Sequence, residues 1–96
     1  MQNERFSWDD DKADKNPIKH DGVTFDEAAR VFDDANRVER FDAEHSDRDE
    51  DRFKVIGHSG SRMLVVIYTE RGVRKHIISA WKADKNDRKA YKRQRP

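Results

Sequence analysis

The sequence predicts an α+β fold, an antiparallel sheet of about four strands packed against two or three helices. Three observations predict it. Residues 52–82 hold three strand-like runs separated by the turn signals Ser59-Gly60-Ser61 and Arg71-Gly72. The stretch VTFDEAARVF sets Phe25, Ala28, Ala29 and Phe32 at helical spacing, one apolar stripe for one sheet face. Charge separates the same two parts of the chain. Residues 1–51 carry 17 Asp/Glu and 8 Lys/Arg, whereas residues 52–96 carry 3 and 13, so a net of −9 faces a net of +10. A basic, strand-rich half beside an acidic, helical half suggests a surface that grips a polyanion.

The elements follow in order. Phe6 and Trp8 alternate with polar residues as on a short edge strand. Asp9 or Asp10 can cap a helix through Lys12, Ala13 and Lys19, although Pro17 argues against a long regular one. Asp21-Gly22 reads as a turn, and Thr24 with Glu27 has the capping-box spacing that opens the next helix. Val38–Phe41 reads as a short strand. DAEHSDRDED (residues 42–51) has no apolar periodicity and reads as a solvated loop or turn, with His45 and also His58 in solvent. In residues 52–59, Phe53, Val55 and Gly57 point one way and Lys54, Ile56 and His58 the other. RMLVVIYTE (62–70) is apolar on both faces, as a central strand is, and VRKHIISAWK (73–82) returns beside it. Asp84 caps a basic helix through Tyr91, with fraying expected at Gln94–Pro96.

Composition bounds the function. Ninety-six residues suffice for a single domain, and only 33% are hydrophobic against 43% charged, so the core is small and stability modest. The absence of cysteine excludes disulfides, zinc-thiolate sites and a cysteine nucleophile. No apolar run approaches the ~18 residues of a membrane span, and the first residues lack the plan of a secretory signal, so a soluble cytoplasmic protein with no membrane partner is expected. No motif calls for a cofactor or a metal.

Several segments, in order and at matching spacing, resemble one family along nearly the whole chain. They are FSWDDDKADKNPIKHDGVTFDEAARVF, the IGHS turn, SRMLVVIYTERG and HIISAWKADKNDRKAY. The family is that of the BrnT toxins. The resemblance implies a RelE-like fold and a bacterial ribonuclease that arrests growth. It also implies a cognate BrnA-like ribbon-helix-helix antitoxin, a two-plus-two assembly, and operator DNA met indirectly through that antitoxin.

RNA cleavage without a metal needs a base for the 2′-OH, positive charge on the phosphorane-like transition state, and an acid for the 5′-oxygen. Arg suits the second task and His either of the others. The candidate catalytic residues are therefore Arg62, Arg74, His76, Lys19 and His20, with Arg71, Tyr68 and Trp81 as RNA contacts. Trp8 reads as core. Arg62, Tyr68, Arg74 and His76 form one cluster if their two strands pair with these side chains on the same face, a register that sequence leaves open. Many family members carry Arg at the position of His76, and often at that of Trp81, which would leave this chain with weaker transition-state stabilisation. Two alternatives stand beside the enzyme: a degenerate toxin that only binds its antitoxin and tunes repression, and a stand-alone nucleic-acid-binding domain.

Overall fold

A computed structural model describes residues 1–94. Its elements are β1 (Phe6–Trp8), α1 (Asp10–Lys19), α2 (Phe25–Arg30) continued by a 3₁₀ turn (Val31–Asp33), β2 (Val38–Phe41), β3 (Phe53–His58), β4 (Met63–Arg71), β5 (Arg74–Lys82) and α3 (Lys85–Arg93). The expected α+β architecture forms, with five strands in the order β1-β5-β4-β3-β2. Strands β2 to β5 pair antiparallel with one another, whereas β1 pairs parallel to β5. The fraying expected at the C-terminus falls partly on Arg95 and Pro96, outside the described residues; Gln94 is the C-cap of α3.

Each face of the sheet carries its own core. Val55, Leu64, Val66, Tyr68 and Ile77 pack with Phe6 and Trp8 against Phe25, Ala28, Val31 and Phe32 of α2 and its 3₁₀ extension. The Phe25/Phe32 stripe thus covers one sheet face, as its spacing requires. On the other face Ile56, Met63, Val65 and Ile67 pack with Ala83 and Tyr91 of the α3 region. β4 is buried on both sides from Met63 to Thr69, which accounts for its unbroken apolar run. Gly57 is required by close approach: a Cβ there would stand 2.7 Å from Val31 Cγ1. Among the described residues, no helix is long and apolar enough to cross a membrane.

The helix caps form as the sequence indicates at three places. Asp9 accepts from the Asp11 and Lys12 amides, and Asp84 forms a reciprocal box with Asp87. Thr24 accepts from the Glu27 amide, but the Glu27 carboxylate bonds Arg62 and Ser59, so the box expected there forms by half. Pro17 does not end α1, which continues to Lys19. Lying near the C-terminal end, it removes a single helical N–H bond with little helix left to disturb.

What holds α1 is Asn16. Its Nδ2 donates to Ala80 O at 2.9 Å and to Val23 O at 2.8 Å, and its Oδ1 accepts from Ala80 N at 3.3 Å. The side-chain amide therefore occupies the edge of β5 just beyond the end of β1, as a neighbouring strand would, and satisfies backbone groups that burial would otherwise leave unpaired. With Asn16 on the strand edge and Ala13 packed against the first core, Lys12, Lys15 and Lys19 are turned towards the opposite sheet face.

The solvated loop or turn expected at residues 42–51 forms, and hydrogen bonds give it order. Ser46 Oγ donates to Asp42 O at 2.6 Å and accepts from Arg52 N at 2.7 Å, and Asp42 N donates to Arg52 O. Thr69 Oγ1, on β4, donates to Asp51 O at 2.7 Å and ties the loop's end to the sheet. Polar side chains bonding their own loop do the work that apolar periodicity does elsewhere.

Candidate nucleic-acid interface

The pairing of β4 with β5 decides where the expected residues go. Ile67 faces Ser79 and Tyr68 faces Ile77, so Ile78 is an extra residue, a β-bulge. Side chains alternate along a strand, and one extra residue reverses the alternation beyond it. Ala80 shares a face with Leu64, Val66 and Tyr68, as expected, but His76 pairs with Thr69 and lies on the other face. Lys75 takes the place beside Tyr68, its ammonium 5.2 Å from that ring and 5.7 Å from Phe32. The cluster of Arg62, Tyr68, Arg74 and His76 does not form.

Tyr68 is buried in the first core and donates its hydroxyl to Glu39 Oε1 at 2.6 Å; burial, then that carboxylate, holds its phenol well above the usual range. Arg62 is held in a fork. Its Nη2 donates to Glu27 Oε1 at 2.8 Å, its Nε to Glu27 Oε2 at 3.0 Å, and its Nη1 to Asp21 O at 3.2 Å. The guanidinium thus braces the turn that follows His20, and its hydrogen bonds to Glu27 hold that carboxyl below the usual range in spite of burial. Because the Glu27 side chain is only 13% exposed, Arg62→Ala takes the ion pair from a mostly buried carboxylate and leaves it the Ser59 hydroxyl at 2.9 Å. It should lower unfolding stability by about 1–3 kcal/mol. Glu27's depressed titration adds stability above pH 4.5 that is lost as pH falls below it, so urea titrations across that range should show a shallower acid-side decline in the variant.

The remaining residues gather on the face opposite α2. A cleft of about 280 Å³ lies between α1, the 42–52 loop and the exposed side of β5. Lys12, Lys15, Lys19 and His20 line it from the α1 side, His45 and Arg52 from the loop, and Ile67, Ile78 and Ser79 form its floor. Trp81 stands between the two histidines, with ring centroids 5.9 Å from His20 and 6.4 Å from His45. Lys15 is paired with Asp11 and Arg52 with Glu50, whereas Lys12 and Lys19 have no ion-pair partner among the described residues. Of the sequence candidates, Lys19, His20 and Trp81 meet here. Lys12, Lys15, His45 and Arg52 were missed. The spacing of Lys12 and Lys15 with Lys19 along one helix face was a signal for two of these; for the loop residues no periodicity pointed the way.

Arg71, Arg74 and His76 line a neighbouring hollow with Ser7. His76 Nδ1 lies 2.8 Å from Ser7 Oγ, and Arg74 Nε donates to Asn3 O. Burial, then the Arg71 guanidinium and Lys12, pushes the His76 ring below its ordinary value of 6.5, so it is neutral at pH 7. Lys12 both lines the cleft and acts on His76, so the two basic sites share one electrostatic field. A neutral histidine in the folded state must be charged in the unfolded chain on acidification. Stability contributed by this group is full above pH 6.5 and falls as the pH drops below it. His76→Gln should flatten that part of a stability-against-pH curve, as read by thermal melts.

Asp42, Glu44 and His45 bring three possible metal-ligand atoms within 4.8 Å of one another. His45 Nδ1 already bonds Asp42 Oδ2 at 2.6 Å, and nothing else in the cluster points to a cation.

The arrangement can hold phosphates by cations, stack a base on an indole and move protons through imidazoles, which are the tasks of binding and cutting RNA. A search of curated proteins returned no match. A family model described as "Ribonuclease toxin, BrnT, of type II toxin-antitoxin system" matches residues 8–87 of the 96. The match runs from Trp8 through the Lys19–His20 turn, Trp81 and the start of α3, and so spans the cleft. The chain belongs to the BrnT family of ribonuclease toxins of type II toxin–antitoxin systems.

Proposed function

We propose that this chain is a metal-independent endoribonuclease that cuts RNA in the cleft over β5. The observation that carries the reading is the convergence of Lys12, Lys15, Lys19, His20, His45 and Arg52 on one open cleft beside Trp81. Lys19 and Lys12 hold the scissile phosphate and its neighbour, Trp81 stacks a base, and His20 takes the proton from the 2′-OH. Arg71 and Arg74, with His76 between them and Lys12, hold the backbone further along the strand. Arg62 has a different task, bracing the turn that carries His20, and Tyr68 belongs to the core.

Membership in a type II system implies a protein antitoxin. Its proposed form is a BrnA-like ribbon-helix-helix protein, which carries the complex to operator DNA in the cytoplasm. The test is purified protein incubated with RNA in excess chelator. Cleavage leaving a 2′,3′-cyclic phosphate and a 5′-hydroxyl, abolished by the antitoxin, supports the reading, and intact RNA refutes it.

A second reading is a degenerate toxin that retains only antitoxin binding. A neutral His76 and an indole at position 81, where many members have Arg, favour it. Growth arrest on expressing this chain alone would rule it out.

A further inference from the structure

We propose that His45, oriented by Asp42, is the proton donor to the 5′-oxygen leaving group. The inference rests on the reading that the cleft cuts RNA.

His45 lies in the acidic loop, outside any pattern that marks a site, yet its ring is placed as an acid–base group is. Nδ1 is fixed by the Asp42 carboxylate at 2.6 Å, and Asp42 is itself held, only 9% exposed, by the turn that Ser46 closes. The backbone amide of His45 donates to the other Asp42 oxygen at 3.3 Å. With Nδ1 engaged, Nε2 is the nitrogen left to meet a substrate, and it makes no hydrogen bond among the described residues. The ring lines the cleft, on the loop wall, while His20 lines it on the α1 side, and both lie beside the same indole. A phosphodiester in that cleft can therefore have one imidazole towards its 2′-oxygen and the other towards its 5′-oxygen.

The charge environment assigns the roles. A proton donor starts the step as a cation. Protonated His45 has a counter-ion in Asp42, whereas the His20 ring has no carboxylate partner among the described residues and stands beside Lys19. The step balances: the 2′-oxygen bonds phosphorus as His20 takes its proton, the P–O5′ bond breaks as His45 gives up its own, and no redox partner or metal is consumed. Asp42 is a positioning residue, acting through the His45 ring.

The test uses the full chain and two RNA oligonucleotides, one natural and one with sulfur in place of the 5′-oxygen at the cleaved bond. A thiolate leaves without being protonated. His45→Gln should cut natural RNA about 10²–10⁴-fold more slowly than the unmodified protein, yet cut the sulfur-substituted RNA at close to the unmodified rate. His20→Gln should be slow on both. Because a glutamine amide can donate to Asp42 in place of Nδ1, and the backbone N–H of residue 45 still does, the variant should melt close to the unmodified protein. Unchanged cleavage of natural RNA by the His45 variant overturns the inference and leaves the ribonuclease intact. Equal loss on both oligonucleotides also overturns it, since that marks a role in binding or folding. If the unmodified protein cuts neither substrate, the ribonuclease reading falls and this inference with it.

Discussion

Replacing His20 with Ala should lower the rate of RNA cleavage by about 10²–10⁴-fold, the usual cost of removing a positioned general base. The residue caps α1, its backbone N–H donating to Asn16 O at 2.9 Å, and its ring is aimed at the cleft beside Trp81. Two contacts fix that position from outside: Arg62 bonded to the carbonyl of Asp21, and the Asn16 amide locked onto β5. Neither depends on the imidazole, so the melting temperature should stay near that of the unmodified protein. Single-turnover cleavage followed against time reads the effect. A rate unchanged within error would remove His20 from the chemistry and leave the cleft as a binding surface.

Asn16→Ala should have the largest effect on stability of any single change in α1. It removes three buried hydrogen bonds and strands the Ala80 N–H and the Ala80 and Val23 carbonyls. Each buried group left unpaired costs about 1–3 kcal/mol, so a loss of at least ~3 kcal/mol is expected. In a chain of this size that lowers the melting temperature by roughly 12–24 °C. Asn16→Asp should be no better, because it keeps the acceptor but turns a second oxygen towards two carbonyls. Activity should fall even at temperatures where the variant is folded, since α1 carries Lys12, Lys15, Lys19 and His20 into the cleft and Asn16 is what seats it. Circular dichroism melts and cleavage assays on the same samples separate the two effects. A melting temperature unchanged by Asn16→Ala would mean that α1 is held by Ala13 packing alone.

The elements were legible in the sequence where one residue type answers one local demand. Asp9, Thr24 and Asp84 cap helices because a short oxygen-bearing side chain reaches the free amides of the first turn. Phe25, Ala28 and Phe32 bury together because helical spacing puts them on one side. The parallel partner of β1 was not legible, since Phe6 and Trp8 alternate identically whichever neighbour they pair with. The loop or turn at 42–51 was legible, but its fixed shape was not, because that comes from Ser46 and Thr69 hydrogen bonds, which leave no periodic trace.

The site divided in the same way. Composition concentrated cations in the second half, yet Lys12, Lys15, Lys19, His20 and His45 of the cleft lie in the acidic first half. Side-chain chemistry, not composition, marked Lys19, His20 and Trp81 as candidates. Their meeting with Lys12, His45 and Arg52, and the separation of Arg62 and Tyr68 from His76, depended on one extra residue in β5 and one buried amide. A bulge reverses which face every later side chain takes, and nothing in IISA distinguishes a bulged strand from a regular one. Local pattern and charge determined the elements and the kind of partner. Register and edge closure, set by contacts between segments far apart in the chain, decided which cations share a cleft.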